Sequence, residues 1–371
     1  VPTGELDELR AVVRDYLTAT SPSETVRKLM ATETGYDEAS WRQMAGELGL
    51  HGIGVPERWG GAGAGMAELA VVFQEMGRAL LCSPFFATIA MAAQAILASG
   101  DDAAAEEFIA GFVDGSATAT LILNGRLGAW DPGAVTLRAD RSGGAYRVHG
   151  EAPLVIDGHT ADVILAAANT EAGISLLAIR AGSEGVRRTP LAGLDRTRKF
   201  ARLEFGGVRA ALIGPEGAAA NFLAHTSDLA IVALTAEQVG AAQRCLDMAV
   251  DYAKQRIQFG RPIGSFQAIK HRCADMLVQV EGALSAVTHA AEVAHTDDLA
   301  ATASVAKMVC SEAFLHVALD NMRIHGGIGF TWEHDAHLFV RRAKATQLIF
   351  GDPDYHAQRL ATLVSATKGP T

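Results

Sequence analysis

The residues best suited to chemistry stand in one stretch, Arg256-Ile-Gln-Phe-Gly-Arg-Pro-Ile-Gly-Ser-Phe-Gln267. Arg256 offers a planar guanidinium fork, Phe259 an aromatic face and Gln267 an amide, a set that suits a nucleotide diphosphate and the groups flanking it. The plain alternative is a helical hairpin whose arginines are solvated. A second stretch, Arg323-Ile-His-Gly-Gly-Ile-Gly-Phe330, joins a cation to a glycine-rich run. His325 and His334, with Glu333 and Asp335 nearby, do not have metal-ligand spacing, so no metal site is expected.

The elements that must hold these residues read as follows. Helix-like runs cover Leu229 to Gln255 and Gln267 to about residue 294, and Gly260, Pro262 and Gly264 interrupt the pattern between them. Residues 1–117 read as mostly helix. Leu6, Leu9, Val12, Val13 and Leu17 form a first apolar stripe, and further helices are expected at Met66–Ala79, Met91–Leu97 and Ala103–Val113. The glycine-rich run Pro56–Gly65 lacks the Lys-Ser or Lys-Thr of a phosphate loop and is expected to be a connection. Residues 118–217 change character. Short β-type runs at Ala117–Leu123, Val135–Arg138, Ala145–His149, Val163–Ala168, Ile174–Ile179 and Ala201–Phe205 alternate with Gly, Asp and Asn turns. Residues 218–371 return to helix. The fold class expected is α+β, with a helical N-terminal domain, a small middle β-domain and a C-terminal four-helix bundle.

Composition narrows the function. A chain of 371 residues, 49% hydrophobic, is long enough for two or three domains. Charges and glycines break its longest apolar runs, so no membrane span is expected, and the first residues do not read as a secretory signal. A net charge of −10 argues against general nucleic-acid binding. Cys82, Cys245, Cys273 and Cys310 lack metal spacing and read as reduced thiols of a cytoplasmic protein.

The first stretch resembles the R-x-x-F-G-x-x-[IL]-x-x-x-Q signature of the acyl-CoA dehydrogenases, and the second resembles that family's Q-x-x-G-G-x-G-F. Trp41 to Gly63 is similar to its N-terminal helical domain. The resemblance implies FAD as cofactor and desaturation of an acyl-CoA thioester, with an electron-transferring flavoprotein as acceptor. It also implies that Arg256, Phe259, Gln267, Arg323, Gly326 and Gly327 reach across a subunit interface to a neighbour's flavin dinucleotide. Arg323 stands where the family has glutamine.

Other positions depart from the family. Leu123-Asn-Gly-Arg-Leu-Gly-Ala-Trp-Asp131 replaces T-E-P-x-x-G-S-D. Leu154 and Ile156 stand where a flavin-packing Trp and a hydrogen-bonding Thr are expected, with Trp130 as the nearby aromatic. The family needs a carboxylate to take the α-proton, and direct transfer demands close approach. Ala230 occupies one glutamate position and Ile231 that of a following arginine. Asp352 falls at the other glutamate position, one methylene short and followed by Pro353. Glu237 lies on the Ala230 face, ~10 Å along the axis at ~1.5 Å per residue, where a packing or inter-helix polar role suits it better. Arg341 and Arg342 read as solvated arginines and His334 as a surface or interface histidine. The reading favoured is a subunit of an α2β2 acyl-CoA dehydrogenase acting on an ester such as a steroid side-chain CoA thioester. Its homologous partner would carry the catalytic glutamate. The alternatives are a self-sufficient homotetramer using Asp352 as base, and a non-catalytic scaffold without flavin.

Overall fold

The structure is a computed structural model that describes residues 3–123, 125, 128–180 and 182–367. Six α-helices come first: α1 (Thr3–Thr20), α2 (Ser23–Ala31), α3 (Glu38–Gly46), α4 (Met66–Arg78), α5 (Gln94–Ser99) and α6 (Asp102–Val113). Their starts follow from capping. The side chains of Asp37 and Asp101 accept the N–H groups of Ser40 and Ala104, and the Glu68 carboxylate reaches back to the Gly65 N–H. A turn of π-helix, Phe86–Ala93, runs into α5 and is buried throughout. Helix α2 shows no signal strong enough to single out in the sequence, since only Val26 and Met30 are buried on it.

The middle of the chain forms seven strands: β1 (Ala119–Ile122), β2 (Arg138–Ser142), β3 (Ala145–Ile156), β4 (Val163–Thr170), β5 (Gly173–Arg180), β6 (Val186–Leu191) and β7 (Phe200–Ile213). The order β4-β5-β7-β3-β2 closes on itself through the single pair Arg138↔Asn169. β1 pairs in parallel on β4, and β6 adds to β7. A dry core of Leu137, Val148, Ile164, Leu177 and Leu203 fills the ring. Two expectations are corrected here. Val135–Leu137 is not strand: Pro132–Ala134 makes a 3-10 turn, and the Val135 carbonyl accepts from the Asn169 side chain at 2.7 Å. β6, with Arg187, Arg188 and Pro190, lacks the apolar alternation that marks a strand, because it is an exposed edge.

The rest is a helical bundle of α7 (Ala219–Gln255), α8 (Gln267–Glu292), α9 (Leu299–His325), α10 (Ala336–Leu348) and α11 (Pro353–Thr367), so a fifth helix joins the four expected. α9 is central, packing on all of the others. The segment Leu299–Phe330 is long and apolar enough to cross a membrane by length and composition alone, but 56% of its most apolar window is buried within the protein. An all-round apolar helix at the centre of a bundle has that composition for packing reasons. α4 crosses α7 at van der Waals contact through two glycines. A Cβ at Gly77 would lie 1.9 Å from the Glu237 carbonyl oxygen, and one at Gly240 would lie 1.7 Å from that of Gln74. This contact fixes the height of Glu237 between the helical layers.

Candidate cofactor face and the interior cleft

Arg256 is the C-cap of α7, its N–H bonded to the Tyr252 carbonyl at 2.8 Å. The chain then makes a two-residue hairpin between β8 (Ile257–Gln258) and β9 (Arg261–Pro262). Phe259 and Gly260 form its tip, with φ of 53° and 76°. Two positive φ values make the hairpin twist match its strands, but a phenylalanine at such a position is strained. Phe259 is also 90% exposed, touching Phe266 edge-on, while Arg261 stacks over Phe266 at 4.1 Å. Strain and an exposed ring are both unfavourable within this chain. Gln267 opens α8 and, like Arg256, is exposed and makes no side-chain hydrogen bond among the described residues.

The second motif lies at the same end of the bundle. Tyr252 stacks on His325 at 4.3 Å, tying the end of α7 to the end of α9, and His334 packs on the other side of His325 at 4.2 Å. His325 Nδ1 is hydrogen-bonded to the Asn321 carbonyl at 2.9 Å, and burial lowers the affinity of the His325 and His334 rings for protons. The histidines are therefore packing groups. No cluster of three or more metal-ligating side chains occurs among the described residues. Gly326 ends α9 with φ 65° and ψ −142°, a conformation for glycine. A Cβ at Gly326, Gly327 or Gly260 would meet nothing within 4 Å, whereas one at Gly329 would lie 2.6 Å from the Met322 carbonyl oxygen. Gly329 is thus needed for packing, and the space over Gly326 and Gly327 is open. Arg323 is not free: it pairs with Asp320 at 2.8 Å, as Arg272 does at 2.9 Å. Ile257, Ile328, Phe330 and Trp332 are exposed around these loops. A cationic, aromatic face with open glycine backbone fits the pyrophosphate and ring system of a flavin dinucleotide.

The interior where the β-ring meets the bundle is different. Ile156 is buried, Leu154 half-buried, and the next residue, Asp157, is buried with φ 51°. Trp130 is half-buried and its carbonyl accepts from the Tyr355 hydroxyl at 3.5 Å, while Asn124, Arg126 and Leu127 of the same loop lie outside the described residues. Aromatic rings run through the helical layer to this point. His51 meets Phe85, Phe85 meets Phe73, Phe73 meets Phe86, and Phe86 meets Phe350, with centroids 5.4 to 6.0 Å apart. Ala230 and Ile231 are buried beside them.

The carboxylates of this region are committed elsewhere. Asp352 accepts the Tyr355 N–H at 2.9 Å and so caps α11. Asp228 pairs with Arg359 at 2.7 Å. Glu237, 4% exposed, pairs with Arg198 at 2.5 Å and, on its other oxygen, with Arg342. Arg342 also pairs with Asp195 at 2.6 Å and donates to Thr197. Arg342 is therefore buried in an ion network, not solvated as its sequence context implied. Burial works against ionisation of Glu237, yet Arg198 and Arg342 override it and hold the carboxyl below its ordinary value. Asp157 takes the opposite course: burial pushes its carboxyl up to about 7 despite Arg198, Arg342 and Lys199. Glu237 thus has the inter-helix polar role expected, extended to the β-ring. Asp157, Asp195, Thr197 and Arg198 escaped the sequence reading. A short Asp-x-Thr-Arg run was the one local signal, and its partners lie on α7 and α10.

The comparisons agree with this architecture. Residues 3–116 match the acyl-CoA dehydrogenase N-terminal domain, and residues 229–364 match its C-terminal domain. Acyl-CoA dehydrogenase IpdE2 of Mycobacterium tuberculosis is 35% identical over 98% of both chains. A chain of the Tcur3481–Tcur3483 steroid ACAD superposes with a TM-score of 0.90 at 31% identity, covering 99% of each chain. One from the ChsE4–ChsE5 complex of Mycobacterium tuberculosis gives 0.89 at 28% identity, covering 100% of this chain and 99% of that one. With its helical layer, β-ring and bundle in that order, the chain belongs to the acyl-CoA dehydrogenase family.

Proposed function

We propose that this chain is the subunit of an α2β2 acyl-CoA dehydrogenase that lacks the catalytic base. It contributes Arg256, Phe259, Gln267, Arg323, Gly326 and Gly327 to FAD held by a homologous partner subunit, which supplies the glutamate. The observation that carries this reading is a contrast within one molecule. On the exposed face Arg256 and Gln267 have no side-chain partner among the described residues and Phe259 is strained and 90% exposed, while the interior carboxylates Glu237, Asp228 and Asp352 are paired or cap a helix. Asp157 is buried, and burial raises its carboxyl to about 7.

On this reading the flavin, when bound, takes a hydride from the β-carbon of an acyl-CoA thioester. Arg256 pairs with its pyrophosphate, Phe259 packs on the dinucleotide and Gln267 hydrogen-bonds it. Gly326 and Gly327 admit the ligand to backbone distance. Arg323, shared with Asp320, holds the loop more than it holds phosphate. The substrate class proposed is a steroid side-chain CoA ester, supported by likeness to complexes whose names carry two components, one of them a steroid dehydrogenase. An electron-transferring flavoprotein is the proposed acceptor and the cytoplasm the proposed compartment. The proposed domain bounds are 1–117, 118–217 and 218–371. Asp352 as base in a homotetramer is the weaker reading, because its carboxylate is occupied as a helix cap.

The test is to purify the chain alone and then co-expressed with its homologous partner, and to record flavin absorbance per chain. Flavin only in the pair, at about one per two chains, supports the proposal. Full flavin in the chain alone overturns it.

A further inference from the structure

A cavity of about 380 Å³ lies between α1, α2, α4, α7 and α10, with Asp335, next to His334, among its lining residues. Arg244 on its wall is ~18 Å up the α7 axis from Arg256, at ~1.5 Å per residue. Its volume is in the usual range for small-molecule sites. Leu17, Val26, Leu80, Met248, Leu338 and Phe339 give it an apolar floor.

The polar side of the cavity is almost fully paired. Arg14 binds Glu75 at 2.7 Å, Asp335 is held by Arg27 at 2.6 Å, and Arg78 binds Asp247 at 2.6 Å. Arg244 is the exception. It is half-buried on this wall and makes no hydrogen bond or ion pair among the described residues. Ser21, at the corner between α1 and α2, also lines the cavity. It is only 8% exposed, and its hydroxyl has no partner among the described residues. One positive charge and one hydroxyl, each without a side-chain partner among the described residues, and an apolar floor therefore line the same space. A guanidinium and a hydroxyl both donate, so the group that completes them is an anionic acceptor. The charge balance selects its valence. Glu75 and Asp335 already line the wall, so a dianion would meet two carboxylates with one free cation to offset it.

We propose that this cavity binds a small amphipathic monocarboxylate. Its carboxylate is held by Arg244 and the Ser21 hydroxyl, and its aliphatic or aryl body lies against Leu17, Val26, Leu338 and Phe339. Such a ligand would bridge the N-terminal helical layer and α10.

The test is titration calorimetry on the full chain as purified, using hexanoate, benzoate, hexanol and hexylphosphonate. The expectation is saturable binding of at least one carboxylate, with hexanol and the dianion weaker by ~10-fold or more, the scale of one charge-assisted hydrogen bond. Arg244→Gln should lose ~10-fold or more and Ser21→Ala several-fold, while Arg244→Lys keeps part of the affinity and all variants keep the parent melting temperature. The proposal fails if hexanol or hexylphosphonate binds as well as the carboxylates, or if Arg244→Gln binds them unchanged. It fails equally if no carboxylate gives a saturable signal. A change in sedimentation mass on Arg244→Gln, with carboxylate affinity unaltered, would make the cavity a subunit contact and overturn the proposal as well.

Discussion

Arg256 and Asp352 separate the two catalytic readings at the level of single side chains. Arg256 is exposed and its side chain has no partner among the described residues, so its truncation costs the fold little. Arg256→Ala should lower flavin retention of the co-purified pair by ~10-fold or more with no shift in melting temperature, measured by absorbance after gel filtration. Asp352 is a cap, and asparagine caps as well as aspartate. Asp352→Asn should therefore leave both stability and turnover of the pair unchanged, whereas Asp352→Ala should destabilise by about 1 kcal/mol in a denaturant titration. Loss of turnover in Asp352→Asn with flavin still bound would identify that carboxylate as the base.

At the level of elements, the β-ring is fastened to α7 and α10 by the buried set Asp195, Arg198, Glu237 and Arg342. Such ions are compensated by one another and by little else. Removing one charge should cost about 3–5 kcal/mol, because the partners stay buried without their counter-ion. Glu237→Gln is expected to lower stability by that amount, and the double change Arg198→Met with Glu237→Leu by clearly less than the two single costs together. A double-mutant cycle measured by urea unfolding checks this. The α4–α7 crossing makes a second demand. With the Gln74 carbonyl 1.7 Å from a Cβ at position 240, Gly240→Ala must push the helices apart. A loss of about 1–3 kcal/mol is expected, larger than for alanine at Gly282 on α8, where a Cβ meets nothing within 4 Å.

The whole molecule responds to pH through groups that folding buries. Burial pushes His51 down to about 4 from the ordinary 6.5, and burial with nearby Lys307 does the same to His356. A base whose folded pKa is depressed gives stability that is complete above 6.5 and lost as pH falls toward 4. Asp157 acts in the opposite sense. Raised from 3.8 to about 7, it favours the folded state most at low pH and loses that contribution as pH rises through 7. In the window between, the unfolded chain takes up protons on His51 and His356, and in part on His159, His325, His334 and His337, which burial also lowers, against the one that the native state keeps on Asp157. Stability should therefore increase from about pH 5 to about pH 6.5, and the slope should steepen in Asp157→Asn. Melting curves across that range check both.

The sequence by itself determined the order of architectures and the two motifs that carry the family resemblance. Helical periodicity, the β-type runs and the glycine-proline punctuation are local properties, and they placed most elements within a few residues. The Arg256 and Arg323 motifs were legible because each is contiguous, its residues lying within one turn and the helix starts beside it. Their apposition required the bundle, through the Tyr252–His325 stack that joins the ends of α7 and α9. The tertiary structure alone decided what occupies the interior. Arg342 looks like any exposed arginine on an amphipathic helix, and β6 like a polar loop, until partners distant in sequence arrive. Glu237 meets Arg198 and Arg342, and Asp195 meets Arg342, only when the β-ring closes onto the bundle. Burial and charge pairing are set by that closure, and no window along the chain contains it.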